Sequence, residues 1–207
     1  MVGPHFSEQT FDFLDELEHH NEREWFEEHK PIYELELKER MLGIIESLNL
    51  AMGDFAGDYI RPPNKAMTRI YRDVRFSKDK TPYKTQLAAY WPRQGLEKAG
   101  GAGYFLQVGV HGVMVAGGAY TPQPPLRAIR DYVLDHHTLL RSLLAAPAVG
   151  QLAQPFGGNT LIRPPRGFPL DHPAADLLLN RSWAVVALLP GEVALEENFT
   201  HLVIERF

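Results

Sequence analysis

The stretch RDVRFSKDKTPYKT, residues 72–85, places five basic side chains within fourteen residues, and Arg69 adds a sixth just before it. Arg69, Arg72, Arg75, Lys78, Lys80 and Lys84 can only donate hydrogen bonds, and a guanidinium fork matches two oxygens of a phosphate or carboxylate at once. Ser77, Thr81 and Tyr83 bring hydroxyl donors to the same segment. The chemistry that this permits is capture of an anion. Arg166, in RPPRGFPLDHP, is a further guanidinium that could join it. Asp73, between Arg72 and Arg75, can orient an arginine or act as a general base. It is the one catalytic candidate, and no other catalytic residue is assigned.

The block is basic in an acidic chain. The whole sequence of 207 residues has net charge -5. Residues 1–60 hold 15 acidic and 4 basic side chains, residues 61–84 hold 8 basic and 2 acidic, and the remainder is balanced. Two explanations compete. The block is either an anion site or the internal partner of the acidic N-terminal helices. Arg72 is a particular case: it shares an alternating face with Ile70, Val74 and Phe76, so burial there demands a carboxylate partner. A helix acid is the expected one.

Other chemistries lack their residues. There is no cysteine, so disulfides, thiolate metal sites and cysteine nucleophiles are excluded. Neither a phosphate-binding Gly-x4-Gly-Lys loop nor a dinucleotide Gly-x-Gly-x-x-Gly fingerprint occurs, and no cofactor is expected. His19-His20 and His136-His137 are adjacent on helices, about 100° apart, and do not make a metal pair; no metal site is expected. His172 reads as a capping-region residue. Ser77, Ser142 and Ser182 lack a nucleophile-elbow context. No apolar run approaches the roughly 20 residues that span a bilayer, and the start lacks a signal peptide's basic and apolar regions. A soluble, cytoplasmic protein without membrane contact is expected.

The elements that must position the block follow from periodicity. Ser7 caps a first helix with Phe11, Phe13, Leu14 and Leu17 on its apolar stripe. Asn21, with Glu24 three residues on, predicts a capping box for a second helix. Pro31 should interrupt that helix and open a third, running to about Ala51. Gly, Asp and two prolines mark a loop at 52–65, the one weak boundary. MTRIYRDVRFS alternates as a strand, FSKDKTPYKT as its turn, and YKTQLAAYW as a second strand. GYFLQVGVHGVMVAGGAY predicts a hairpin about His111-Gly112. Gly117-Gly118 marks close backbone approach, a bulge or room for a ligand. Thr121 should cap a long helix with Pro124 and Pro125 near its start. Its buried face is Leu126, Ile129, Val133, Leu140, Leu143 and Leu144, and APAVG ends it. A short strand at NTLIRPP, a short helix from Asp171 to Leu179, a strand at SWAVVALLP and a segment capped by Asn198 complete the chain. Helices, then strands, then a helix and a late strand predict an α+β fold, with N-terminal helices and a long central helix packed on a largely antiparallel sheet. A single domain over 1–207 is expected, helical over 1–52 and α+β over 66–207.

Four segments together, NEREWFEEHKPIY, TRIYRDVRFSKDKTPYKT, YFLQVGVHGVMVAGGAYTPQPPLRAIRDYV and RPPRGFPLDHP, resemble domain-of-unknown-function family 2461, a family of conserved hypothetical proteins. The likeness runs from about Phe6 to Phe207, and RDVRFSKDKTPYK is its most specific part. It implies a fold family and a segment of interest, with no activity and no catalytic residues. It also implies a longer last helix than this chain has, and so a C-terminally shortened form. Three functional readings stay open. The first is an anionic small ligand, phosphate- or carboxylate-bearing, bound by Arg69, Arg72, Arg75, Ser77, Lys78, Lys80, Tyr83, Lys84 and Arg166, with or without an enzymatic step. The second is a nucleic-acid module whose basic hairpin meets phosphates while Tyr71, Tyr83 or Trp91 stacks on bases, against which the isoelectric point of about 6.0 weighs. The third is a purely structural block.

Overall fold

The computed structural model describes residues 3–96, 101–120, 126–155 and 160–207. Ser7, extended at φ -113°, precedes α1, Glu8–His19. The Thr10 hydroxyl accepts the Ser7 N–H at 3.3 Å, while the Ser7 hydroxyl, 3.3 Å from that of Thr10, donates to Glu36 at 2.7 Å. Phe13, Leu14 and Leu17 are buried, as the stripe requires.

The second helix differs from its expectation at both ends. Glu22, not Asn21, is the residue before α2, Arg23–Ile32. Asn21 is occupied elsewhere, as described below. Pro31 does not break the helix. α2 continues into a π-helical segment, Tyr33–Glu39, and then into α3, Arg40–Met52, with helical angles at Tyr33 and Arg40. Pro31 removes one N–H from the ladder, and the wider turn that follows shifts each later bond by a residue instead of ending the helix. Tyr33, Leu37, Met41, Ile44, Ile45 and Leu48 thus remain in the core on one continuous rod.

After α4, Pro63–Ala66, come β1, Gln86–Pro92, β2, Ala102–Gly109, and β3, Gly112–Tyr120. Then follow α5, Leu126–Leu144, α6, Pro147–Leu152, β4, Gln154–Pro155, α7, Ala175–Leu178, β5, Ser182–Leu189, and α8, Phe199–Ile204. The strand order is β1-β2-β3-β5-β4, and β4 runs antiparallel to β5. This is the α+β architecture. β2 and β3 form the hairpin turning at Val110-His111. Gly118 has φ +145°, and a Cβ there would run into the Trp183 carbonyl and the Ala184 backbone, so its role is close approach to β5.

The chain divides into two compact units, Met1–Trp91 with Phe105–Val115 and Leu188–Phe207, and Pro92–Tyr104 with Ala116–Ala187. The 52–65 loop lies inside the first and is no boundary. The division cuts through β2, β3 and β5, which is why no shift in composition marks it. In the first unit Phe6 packs on Phe199, ring centres 6.0 Å apart, and buried Trp91 donates its indole N–H to Asn49 at 2.9 Å. The second unit centres on Val133, Leu177 and Leu178, with Ile129, Leu134, Leu140, Phe168 and Trp183 against them.

Further corrections concern the second unit. Leu143 is exposed, and Arg130 takes a buried place on α5. APAVG does not simply end that helix, because Pro147 opens α6. Residues 160–165 form no strand. Thr121, Pro124 and Pro125 lie outside the described residues, as does Asn159 of NTLIRPP. No helix of the described residues is long and apolar enough to cross a membrane.

Candidate anion-binding site

Residues 67–77 were expected to form a strand, and they form only two isolated bridges, Met67 with Ala89 and Tyr71 with Tyr83. The arms are extended and held at intervals: Thr68 N–H donates to the Ala88 carbonyl at 2.8 Å, Arg72 N–H to Pro82 at 2.8 Å, and Lys84 N–H to Ile70 at 2.9 Å. Pro82 has no N–H to return, so the ladder cannot continue. The expected alternation holds at Ile70, which is buried, and has failed by Phe76, which is 95% exposed.

The tip of this hairpin is stapled by its own charges. Arg72 donates to Asp79 at 2.6 Å, to the Thr81 carbonyl at 3.2 Å and to the Thr81 hydroxyl. Its partner is therefore a loop acid and not a helix acid. The Thr81 N–H, then Arg72, then the Thr81 hydroxyl hold the Asp79 carboxyl down to about 2. Arg75 grips Asp73 with two bonds, 2.9 and 2.7 Å, and this fork holds the Asp73 carboxyl below its ordinary range. Asp73 thereby orients an arginine and is a poorer proton acceptor for it. Lys80 donates to the Val74 carbonyl at 2.9 Å, and the Ser77 N–H turns back to the same carbonyl at 3.3 Å. No carboxylate of α1, α2 or α3 pairs with the block among the described residues; Glu27, Glu34 and Glu36 pair with Lys30, Lys38 and Arg40 of their own helices.

The base of the hairpin is different. The Lys84 ammonium reaches the Thr68 hydroxyl at 3.5 Å, and burial first, then Arg69, pushes its pKa below the usual lysine value. Among the described residues neither Lys84 nor Arg69 has a carboxylate within ion-pair distance. Lys78, at the tip, is exposed and similarly unpaired. Arg166 belongs to the second unit, where it is exposed.

Tyr83 is not available to a ligand as a ring. It is buried, stacked on Phe26 at 4.1 Å and against Tyr71 at 5.4 Å, and burial raises its phenol pKa. Trp91 is fully buried too, so neither side chain can stack on a base. An apolar ring at the foot of a hairpin gains more from the core than from solvent. Thr68 and Asn21 were missed as parts of this site. Nothing in the sequence marks Thr68, while Asn21 carried a cap signal that tertiary contacts overrode. Among the described residues no group of three or more His, Asp or Glu could hold a metal.

The chain matches the model of a family described as Conserved hypothetical protein (DUF2461) over residues 9–207. The chain belongs to this family. No curated protein and no solved structure matches it. The family match spans the whole hairpin, from Thr68 to Ala89, together with the helical rod that packs beneath Tyr83.

Proposed function

We propose that the protein binds an anionic small molecule, bearing a phosphate or a carboxylate, at the base of the 67–89 hairpin. Arg69 and Lys84 supply the charge and Thr68 a hydroxyl donor. The observation that carries this reading is the partly buried Lys84 ammonium, within hydrogen-bond reach of Thr68 and in the field of Arg69, with no carboxylate in ion-pair distance of either among the described residues. Such a pair of like charges is unfavourable until an anion arrives. Arg72, Arg75 and Lys80 build the loop above it, through Asp79, Asp73 and the Val74 carbonyl. Lys78 remains free to approach a larger ligand.

A second reading has one observation in its favour. Phe76 stands almost wholly in solvent with the Arg75 guanidinium 5.8 Å from its ring centre, beside Lys78 and Lys80. An exposed aromatic ring among cations suits an unpaired base of single-stranded nucleic acid.

Thermal shift at matched ionic strength tests both. Phosphate, sulfate, nucleotides, sugar phosphates and dicarboxylates are compared with sodium chloride. A ligand at a hundred times its Kd stabilises by about 2.7 kcal/mol. The first reading expects a shift that Arg69→Ala and Lys84→Met abolish and that Phe76→Ser leaves intact. The second expects binding to single-stranded RNA or DNA at about 50 mM salt, falling with salt by roughly one log unit per phosphate contact and lost in Phe76→Ser. No response beyond the salt control leaves the block a structural staple.

A further inference from the structure

We propose that the second unit carries an anion site of its own, a groove between residues 160–163 and Arg181 that takes an organic molecule with a carboxylate or phosphate head. The groove is shallow and open to solvent, lined by Thr160, Leu161, Ile162, Arg163 and Arg181, with a volume of about 540 Å³. The Leu161 N–H donates to the Leu179 carbonyl at 2.8 Å, which pins one wall beside the chain leading into β5.

Among the described residues no carboxylate lies at ion-pair distance from the arginines of the groove. The unit contains eight basic and five acidic residues. Of its acids, Asp176 takes Arg141 at 2.5 Å and Asp131 lies 3.9 Å from Arg127. Arg163 and Arg181 are exposed and have no hydrogen bond or ion pair among the described residues. Arg130 lies within electrostatic range of Arg181, only 6% exposed, and it too lacks a carboxylate. Its Nε donates to the Leu178 carbonyl and its Nη2 to the Asn180 carbonyl, both at 2.9 Å. Those bonds explain why Arg130 is tolerated inside, at the C-terminal end of α7. They leave Arg163 and Arg181 unexplained, and Arg130 adds its own field behind them. Two guanidinium forks facing one groove suit a planar or tetrahedral oxyanion.

The rest of the lining decides the body of the ligand. Leu161 and Ile162 are aliphatic, and Ile162 is 97% exposed. Covering such a side chain favours a ligand with an apolar part. A bare oxyanion would meet the arginines and leave the isoleucine in water.

Calorimetric titration of the whole chain with phenyl phosphate, benzoate and inorganic phosphate, at constant ionic strength, tests the proposal. The expected result is binding of phenyl phosphate or benzoate, tighter than inorganic phosphate, and weakened about tenfold or more by Arg163→Ala and by Arg181→Ala. Arg181→Lys should recover part of the loss. In a Lys84→Met background the losses from Arg163→Ala and Arg181→Ala should persist, which separates this groove from the hairpin site. Both arginines are exposed, and thermal melts confirm that the variants fold. The proposal is overturned if none of the probes binds at millimolar concentration, if inorganic phosphate binds as tightly as phenyl phosphate, or if Arg163→Ala and Arg181→Ala bind like the wild type in the Lys84→Met background.

Discussion

Asn21 and Tyr83 are 62 residues apart in sequence and are joined by two hydrogen bonds. The Asn21 amide donates to the Tyr83 carbonyl at 3.1 Å and accepts the Tyr83 N–H at 3.0 Å. One carboxamide does here what an adjacent strand would do, satisfying both main-chain groups of a residue whose ring is in the core. The basic hairpin is thereby anchored to the turn between α1 and α2.

Asn21→Ala should therefore destabilise the protein by about 1–3 kcal/mol, since it leaves a buried N–H and a carbonyl without partners. Asn21→Asp keeps the acceptor, loses the donor and should cost less than alanine at neutral pH. Urea denaturation measures both, and equal stability of all three proteins would show that the anchor contributes nothing.

Tyr33 gives a prediction at alkaline pH. Burial first, then Glu34, pushes its phenol up to about 12. A folded-state value above the unfolded value of about 10 stabilises the fold below pH 10, and that stability is lost as pH rises through 12. Ultraviolet titration should resolve one phenol ionising near 12, absent in Tyr33→Phe. The variant should also lose less stability between pH 10 and 12.

Asp79 behaves in the opposite sense. Its folded carboxyl, at about 2, lies below the unfolded value of about 4. The order it gives the hairpin tip is present above pH 4 and fades as pH falls through 2. Carbon-detected NMR titration should find that Arg72→Ala raises the Asp79 midpoint. An unchanged midpoint would falsify the Arg72 contact.

Gly118→Ala should destabilise by about 2 kcal/mol or more, because φ is +145° and the new Cβ meets the β5 backbone. Gly57→Ala, where a Cβ meets nothing within 4 Å, should stay within about 0.5 kcal/mol. Thermal melts of the pair compare a constrained glycine with an open one.

Much of the architecture was legible because it depends on local pattern. Phe13, Leu14 and Leu17 stand at helical spacing on α1, and the strands on either side of His111-Gly112 meet across a short turn. The basic block was legible by composition alone, including the likelihood that Arg72 needs an acid. Arg130 could have been found as well: it stands four residues after Leu126 and three before Val133, on the apolar stripe of α5.

Sequence by itself determined the N-terminal helices, the hairpin about His111-Gly112 and the place where positive charge collects. Only the tertiary structure decided what each charge is for. Arg72 and Arg75 find their acids within the loop, because a tight turn brings Asp79 and Asp73 nearer than any helix carboxylate. Lys84 and Arg69 have no carboxylate at ion-pair distance among the described residues; Arg69 feels Asp73 only at longer range, because the Asp73 carboxylate is taken by the Arg75 fork. Asn21 left its cap for Tyr83, and Pro31 was absorbed by a wider helical turn. At Asn21 the local cap competed with a contact that also holds the Tyr83 ring in the core on Phe26, and the tertiary contact prevailed.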